Sequence, residues 1–344
     1  MKLLCICDPT SYPNEAADVA RFYRYVAGHP NIEIYHLPVS GVFAERWAHI
    51  AAIQVSKPLN HGQFLSLNER PPQLLALSEL DLVFCRTLKP FPAGYLQKLV
   101  SWEQYTRFVN RPSRKIEQIS PHFFLTVANR FIPDAIATDN WREGMTFQNE
   151  FKTIIAKRAN SCGGRGVFKI WRQNNLFQVD NFFQGHCAFL TFQAVMGYLQ
   201  QNTDQPIQFF RYLPRTQAGD KRIIVVDGEI YGSLLRRSRS GHWVNNVSGD
   251  GDCIHARITK QEELAIANTV SAYQQRELHT LGYDFLMDND GSWRLSEINA
   301  GNVGGFGRLS DLTKEPILER LTYWLIHFGT RQPASPPISC NATH

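Results

Sequence analysis

The sequence lacks the cysteine patterns that mark a zinc site or a disulfide framework. Its seven cysteines are scattered, and none of them forms a Cys-x-x-Cys pair or has a zinc-site spacing to histidine. Metal-binding and disulfide-rich domains are recognised by such spacings. We therefore expect reduced thiols in a cytoplasmic protein.

Long apolar runs and blocks of like charge are missing as well. The apolar stretch at the N-terminus, MKLLCIC, ends at Asp8 and is shorter than a signal-peptide core or a membrane span requires. The formal net charge is only +5, from 36 Lys and Arg against 31 Asp and Glu. This mild excess is compatible with a small polyanionic ligand such as a nucleotide, and it lacks the basic patch that nucleic-acid binding needs. The sequence thus predicts binding to neither membranes nor nucleic acids.

Strands and helices alternate in the first third of the chain. The 344 residues, of which 43% are hydrophobic, suffice for two or three packed units. The alternation indicates an α/β unit with a parallel sheet over residues 1–120. Its predicted elements are strands at 2–7, 32–37 and 80–86, and helices that end near Gly28 or cover 71–80 and 91–106.

Three hairpins dominate the rest of the chain. They are predicted at 152–171, 221–238 and 283–299, the first with a glycine-rich connection and the second with an Asp-Gly turn. Between the last two, a helix is predicted to begin after Thr259, which starts a capping-box pattern, and to end at Gly282.

Unit boundaries follow from these elements. A second unit is predicted over 121–205, and a third over 206–328, beginning with a strand at 206–214. The Pro- and Ser-rich tail, 329–344, is predicted to be disordered.

Three oxygen-bearing side chains meet on the last hairpin. Glu297 and Asn299 point to one face of their strand because side chains alternate along a strand, and Asp284 lies on the neighbouring strand. Two carboxylates and an amide oxygen suit Mg²⁺ when waters and phosphate oxygens complete its ligands. A solvated hairpin face is the alternative. The glycines that follow, in GNVGGFGR, would let backbone approach a substrate and bind a carboxylate through N–H groups.

Cations occur at the places where such a site needs them. Lys157 ends the strand before the glycine-rich connection NSCGGRG, where its ammonium group would act on a phosphate and the loop N–H groups would cover it. On the middle hairpin, Arg222 and Arg236 can share one face and stabilise charge on a transferred phosphoryl group. An exposed loop and a solvated basic hairpin are the alternatives for these segments.

Taken in order, these segments resemble an ATP-grasp enzyme of the bacterial glutathione synthetase type. Over 212–237, YLPRTQAGDKRIIVVDGEIYGSLLRR is similar to the family pattern YLPxxxxGDKRxxxVDGExxxxxLxR. Further family motifs resemble LDLVFCRTLKPFPAGYL, FVNRPSRKIEQIS, RFIPDAIATDN, IIAKRANSCGGRGVFKI, and the pair GYDFL and RLSEIN. The resemblance covers most of the chain, with the motifs in the family's order.

The resemblance implies a fold and an activity. The fold would combine α/β and α+β parts: an N-terminal Rossmann-like (pre-ATP-grasp) α/β domain, a lid subdomain over 121–205 and a metal-binding subdomain over 206–328. The activity would join a carboxylate to an amine through an acyl phosphate. ATP would be the co-substrate and two Mg²⁺ ions the cofactor, with Mn²⁺ as a substitute. The substrates would be amino acids or peptides, and the enzyme a homo-oligomer.

The residues that match the family's motifs fall into four groups. The phosphoryl-transfer residues would be Arg222 and Arg236, and the metal ligands Asp284, Glu297 and Asn299. The nucleotide-binding residues would be Lys157, Ser161, Gly163, Gly164, Gly166, Tyr212, Leu213, Asp220 and Arg142. The substrate-binding residues would be Arg86, Asn246, Gly301, Asn302, Gly304 and Gly305.

Two departures from the family pattern bear on ligand identity. Where the family has a lysine after TRN, this chain has Trp141 with Arg142 beside it, so Arg142 is the candidate replacement. The family's EINVTSPTGIRE is here EINAGNVGGFGR, a segment that helps shape the acceptor-substrate end of the site. Glutathione synthetase is therefore the first interpretation and a ligase for another amino acid or peptide the second. A non-catalytic nucleotide-binding regulatory protein of the same fold is the third.

Overall fold

A computed structural model describes residues 1–15, 17–201, 203–238, 243–244 and 251–331. These residues form three sheets that follow one another along the chain. Across the described ranges, no helix has the length and apolarity to cross a membrane. The predicted site residue Asn246 and most of the predicted tail lie outside the described residues, and the last helix continues to Thr330.

The first sheet has six strands in the order β4-β3-β2-β1-β5-β6. They are β1 (Lys2–Ile6), β2 (Glu33–Leu37), β3 (His49–Val55), β4 (Gln73–Ala76), β5 (Leu82–Cys85) and β6 (Arg107–Phe108). Its helices are α1 (Asp18–Val26), α2 (Val39–Phe43), α3 (His61–Leu65), α4 (Tyr95–Trp102) and α5 (Pro112–Ile119), with short 3₁₀ helices at Pro9–Ser11, Leu67–Glu69 and Leu77–Glu79. Strand β1 pairs in parallel with β2 and β5, as the alternation predicts.

The prediction of a parallel sheet is wrong for the strands beyond β2. Strands β2 and β3, and likewise β3 and β4, run antiparallel. The stretch 71–80, predicted to be helical, contains β4 and a 3₁₀ turn instead. Leu75 is buried opposite Ile50 whereas Leu74 is 75% exposed. Antiparallel pairing with β3 makes this stretch a strand, and a run of leucines conceals it in the sequence.

The second sheet is antiparallel throughout, with the order β11-β10-β9-β8-β12-β7. Its strands are β7 (Ala135–Thr138), β8 (Thr153–Lys157), β9 (Val167–Gln173), β10 (Leu176–Asn181), β11 (Gly185–Phe189) and β12 (Ile207–Arg211), and its helices are α6 (Pro121–Val127), α7 (Trp141–Phe151) and α8 (Phe192–Leu199). The hairpin of β8 and β9 is confirmed. Strand β12 lies between β7 and β8, so this sheet extends past the unit boundary predicted at 205.

The third sheet has the order β15-β14-β13-β16-β17. Its strands are β13 (Asp220–Val226), β14 (Glu229–Ser238), β15 (Gly251–His255), β16 (Thr280–Met287) and β17 (Trp293–Asn299), preceded by a 3₁₀ helix at Pro214–Ala218. The helices of this part are α9 (Lys260–Gln274), α10 (Phe306–Thr313) and α11 (Ile317–Thr330). Both predicted hairpins, β13–β14 and β16–β17, are confirmed.

Helix α9 begins as predicted but ends earlier. Thr259 and Glu262 form the reciprocal capping box. The predicted end at Gly282 is wrong, because Glu277 takes a φ of +52°, which α-helical backbone cannot accommodate. The chain then enters β16, where Gly282 pairs with Ile224 of β13.

The two C-terminal helices return to the first sheet and share its core. Their buried side chains lie in one cluster with those of β1 and α1, which joins the two ends of the described chain. The cluster includes Leu3, Phe22, Val26, Phe306, Leu309, Leu321 and Leu325.

A histidine side chain is buried beside this first core. His36 is fully buried, with Nδ1 2.7 Å from the Tyr23 hydroxyl and Nε2 2.7 Å from Asn68 Oδ1. Because an amide oxygen only accepts, Nε2 carries the proton and Nδ1 accepts from the hydroxyl. Burial lowers the pKa of His36 to about 4, although Asn68 and Asp8 act in the opposite direction. The fold therefore accommodates the neutral ring.

We predict that His36 makes the protein lose stability in mild acid. A histidine whose pKa is lower in the folded state contributes stability that is present above its unfolded pKa, about 6.5, and lost as the pH falls toward the folded pKa. Between about pH 6.5 and about pH 4.5, the wild type should lose about 2 kcal/mol more unfolding free energy than His36→Gln. The glutamine amide can keep both hydrogen bonds without titrating. Urea unfolding at the two pH values measures the difference, and equal losses would contradict the prediction.

Candidate active site

Asp284, Glu297 and Asn299 lie together on the β16–β17 hairpin. Asp284 and Glu297 are directly opposite in the ladder, and Asn299 follows two residues along β17. The neighbours of Asp284, Tyr283 and Phe285, are buried in the core against α9. Because side chains alternate along a strand, Asp284 is turned to the opposite face. Because the alternating apolar residues are buried in the core, the oxygen-bearing side chains point to the opposite face of the sheet.

Asp284 is the centre of a buried charge network, which consists of Asp220, Arg222, Arg236 and Asp284. Arg222 Nε donates to Asp284 Oδ1 at 2.7 Å. Arg236 Nη2 donates to the same oxygen at 3.0 Å and to Asp220 Oδ2 at 2.6 Å. The register brings the four residues together, because Asp220 pairs with Arg236 and Arg222 with Asp284. The prediction that Arg222 and Arg236 share a face is confirmed.

Burial and the arginines act in opposite directions on the two carboxyl groups of the charge network. Burial acts to raise the pKa of Asp284, but Arg222 and Arg236 hold that pKa below its usual value. At Asp220 burial prevails over Arg236 and raises the pKa to about 6. Asp220 Oδ1 and Arg236 Nε are buried, and neither has a hydrogen-bond partner among the described residues. The charge network therefore retains an acceptor and a donor for a ligand.

Lys157 brings a further cation from the second sheet. Its ammonium group donates to the Ser296 carbonyl oxygen at 2.7 Å and lies 4.8 Å from the centroid of the Phe210 ring. Burial lowers the pKa of Lys157, while Glu297 and Asp284 act to raise it. Lys157 thus spans the gap between the second and third sheets and places a point charge beside the charge network.

The glycine-rich connection after Lys157 has a backbone conformation that lets a ligand approach the backbone closely. Gly163 and Gly164 have φ values of +61° and +81°, a region that glycine enters without steric cost. At Gly166 a Cβ atom would lie 2.6 Å from the side chain of Ser161, so a larger residue does not fit. This loop, together with Lys157 and Glu297, lines a cavity of about 90 Å³.

A second cavity, of about 80 Å³, adjoins the first and shares Lys157 and Glu297 with it. Tyr212 and Leu213 line its apolar part, and carboxylates of the third sheet line the rest. The Lys169 ammonium group lies 4.3 Å from the Tyr212 ring centroid. The two cavities form one cleft with an apolar slot beside cations, carboxylates and loop N–H groups. Such a cleft suits a nucleotide, which has a planar base and charged phosphates.

The side-chain oxygens of Asp284, Glu297 and Asn299 suit Mg²⁺ if a bound nucleotide supplies the remaining ligands of the metal. Among the residues that the structure describes, no three His, Cys, Asp or Glu side chains gather into a metal-binding group. Two carboxylates and one amide oxygen leave positions for phosphate oxygens and waters, which Mg²⁺ usually keeps. Asn299 Oδ1 already accepts the Gly301 N–H at 2.8 Å. The residues therefore fit a metal that binds jointly with phosphates.

The glycine-rich segment after β17 is held by the first unit. The Asp18 carboxylate, at the start of α1, accepts the N–H groups of Gly305, Phe306 and Gly307, the last two at 2.9 Å. Gly304 lies beside the same carboxylate, since a Cβ atom on it would be 3.5 Å from Asp18 Oδ2. The sequence predicts that these N–H groups bind a substrate carboxylate. A substrate would have to displace Asp18 from them.

Arg86 and Asn302 meet at the same segment. Arg86 Nη1 donates to the Val303 carbonyl oxygen at 2.8 Å. Asn302 Nδ2 donates to the Arg86 carbonyl oxygen at 3.0 Å and to the Tyr12 hydroxyl at 2.6 Å. Arg86 Nε and Asn302 Oδ1 are buried, and within the described ranges neither atom has a hydrogen-bond partner. Both predicted substrate residues thus keep polar atoms for a ligand.

Arg142 lies apart from this cleft. It is exposed on the first turn of α7, with its guanidinium group 4.8 Å from the Trp141 ring centroid. It lines neither of the two cavities. Its predicted contact with a nucleotide phosphate stays a prediction.

Four residues near the site were not found by sequence reasoning. Each of them acts through a tertiary contact rather than a motif, so no local pattern indicated it. The lysine of α5, for example, is buried, and nothing in the segment PSRKIEQI distinguishes it from an exposed lysine. The four are Asp18, Lys115, Lys169 and Trp243.

Comparisons with known proteins agree with the resemblance. Residues 122–314 match the family described as prokaryotic glutathione synthetase, ATP-grasp domain. The glutathione synthetase of Buchnera aphidicola is 25% identical over 283 residues, or 78% of each chain. That of Photorhabdus laumondii is 24% identical over 305 residues, or 87% of this chain and 89% of its own.

Solved structures confirm the fold. A D-cycloserine synthetase is similar with a TM-score of 0.64 and 12% identity over 96% of this chain and 100% of its own. That likeness supports the predicted ATP-grasp architecture, and the family match covers more than half of the 344 residues. The chain therefore belongs to the prokaryotic glutathione synthetase ATP-grasp family and is an ATP-dependent ligase that forms C–N bonds.

Proposed function

We propose that the chain is a glutathione synthetase, which joins γ-glutamylcysteine to glycine while ATP is converted to ADP and phosphate. The observation that carries this proposal is the convergence of the charge network, Lys157 and the glycine-rich loop on one cleft. Those groups provide what phosphoryl transfer to a carboxylate requires: positioning and charge stabilisation without a protein nucleophile. The names of the curated relatives support the choice of substrates.

Each residue of the cleft has a distinct role in this proposal. Tyr212 and Leu213 hold the adenine, and Lys157 and the loop N–H groups hold the β- and γ-phosphates. Arg222 and Arg236 stabilise charge on the γ-phosphate as the substrate carboxylate attacks it. The resulting acyl phosphate reacts with the amine, which forms the amide and releases phosphate. Two Mg²⁺ ions, for which Mn²⁺ can substitute, would be held by Asp284, Glu297 and Asn299 and would neutralise phosphate charge when bound.

A ligase for a different amino acid or peptide is the second candidate. The segment 300–307 departs from the family pattern, and Asp18 already occupies the N–H groups at its end. The acceptor end of the site can therefore differ while the phosphoryl-transfer end stays the same. For either candidate, we propose a homo-oligomeric cytoplasmic enzyme that does not act on nucleic acid.

We expect ADP release only when γ-glutamylcysteine and glycine are both present with ATP and Mg²⁺. The acyl phosphate needs the amine to complete turnover, so omission of glycine should lower steady-state ADP release at least tenfold. A coupled ADP assay with chromatography of the products measures this. ADP release with another carboxylate and amine, but not with this pair, would favour the second candidate.

Glu297→Gln should reduce turnover at least about a hundredfold, because an amide replaces a carboxylate metal ligand. The fold should persist, with an unfolding free energy within about 1 kcal/mol of the wild type, since Glu297 is only half-buried. Glu263→Gln, at an exposed position of α9, is the matched control and should leave turnover unchanged. Turnover of Glu297→Gln at the wild-type rate would refute the metal assignment.

Lys157→Met should weaken ATP binding about tenfold to a hundredfold, because hydrogen bonds to charged groups contribute about 1.5–3 kcal/mol. Arg142→Ala should weaken it less, since Arg142 lies outside both cavities. Fluorescence titration with a nucleotide analogue gives both dissociation constants. A larger loss with Arg142→Ala than with Lys157→Met would show that Arg142 replaces the family's phosphate-binding lysine.

A further inference from the structure

Lys115 is a buried side chain whose ammonium group has no polar partner in the described part of the chain. It lies on the inner face of α5 and is 4% exposed. Its ammonium group is 4.8 Å from the Phe91 ring centroid, and it forms no hydrogen bond or ion pair with any residue that the structure describes. Burial of an unpaired ammonium group is strongly unfavourable, so this position calls for an explanation.

The surroundings of Lys115 are cationic rather than acidic. Burial is the main reason why the pKa of Lys115 is lowered to about 8; Cys85 acts against it, and Lys89 and Arg86 act in the same direction as burial. Arg86 is itself 2% exposed and has a buried Nε atom without a partner. Its contacts are a carbonyl oxygen and the face of the Phe84 ring, neither of which carries a charge. Two buried cations thus share one region, and neither forms an ion pair with a carboxylate of the described residues.

The ammonium group lies beside the proposed metal site. A Cβ atom on Gly301 would be 3.7 Å from Lys115 Nζ and 3.0 Å from Asn299 Oδ1. Glycine at 301 therefore keeps open a space that both side chains border. Gly301 also lies in the segment 300–307, which differs from the family pattern.

We propose that Lys115, assisted by Arg86, binds a carboxylate group of the amino acid or peptide substrate. The inference rests on the proposed function, in which substrates of this kind occupy the end of the cleft near Asn299. A carboxylate would supply the missing counter-charge for both cations. Nucleotide phosphates have Lys157 and the glycine-rich loop for their own contacts, so the Lys115 site is left to the second ligand.

The test compares Lys115→Met with wild type in calorimetric titrations in the presence of Mg²⁺ and a non-hydrolysable ATP analogue. The probes are γ-glutamylcysteine, glycine and glutarate. At least one of them should bind at least tenfold more weakly to Lys115→Met, while the affinity for the ATP analogue changes less than twofold. Lys260→Met, at an exposed position of α9, should match the wild type with every ligand.

Thermal unfolding separates a binding role from a structural one. Because an unpaired buried ammonium group destabilises the fold, Lys115→Met should melt at the same temperature as the wild type or higher. A lower melting temperature together with weaker binding of all ligands, the ATP analogue included, would assign Lys115 a structural role and overturn the inference. Equal affinities of wild type and Lys115→Met for all three probes would also overturn it.

The two proposals fail in different ways. Glutathione formation by Lys115→Met with unchanged KM for both substrates would leave the proposed function standing and remove the Lys115 site. Absence of glutathione formation by the wild type, with binding of glycine or glutarate that depends on Lys115, would remove only the proposed substrate pair.

Discussion

The carboxylate of Asp284, shared by two arginines, is the interaction on which the site depends. A single charge buried at this position would cost several kcal/mol, whereas paired charges largely compensate one another. The pairing is a product of register: a slip of β13 by one residue would turn Arg222 into the core and Ile223 out of it. The apolar residues that alternate with the charges therefore determine where the charges lie. In this part of the protein the core and the active site are set by one strand alignment.

The first unit is coupled to the site through polar contacts with the segment after β17. Asp18 holds three N–H groups at the start of α10, and Arg86 holds the Val303 carbonyl oxygen. A carboxylate at a helix N-terminus interacts favourably with the helix dipole as well as with the N–H groups. The helices α10 and α11 then pack into the core of the first sheet. The segment after β17 is thus held in place jointly by the first and third units.

Local chemistry was sufficient to predict some features from sequence. An Asp-Gly turn, a capping box and two-residue alternation predicted the hairpins, the start of α9 and the pairing of Asp284 with Glu297. Local chemistry was insufficient where a segment is compatible with both a helix and a strand. The leucines of 71–80 are one example, and the helical pattern that continues past Gln274 into β16 is another. Local chemistry also gave no sign of the contact between Asp18 and Phe306, which are 288 positions apart. In sequence terms, Asp18 is an ordinary acidic residue in a first helical turn.

The cations in and beside the cleft differ in how their charge is balanced, and in the two proposals this difference assigns them to different ligands. Arg222 and Arg236 are already paired with Asp284 and Asp220. A phosphate that draws these arginines away from the carboxylates leaves Asp284 in need of another partner, which the proposed binding of Mg²⁺ would provide. In the proposed function, nucleotide and metal would therefore enter together, because the phosphate alone would leave the buried Asp284 charge without compensation. Lys115 and Arg86 are paired with no carboxylate among the described residues, so an anion can bind to them without any such exchange. Substrate binding at that end is consequently expected to be independent of the rearrangement that phosphate binding requires.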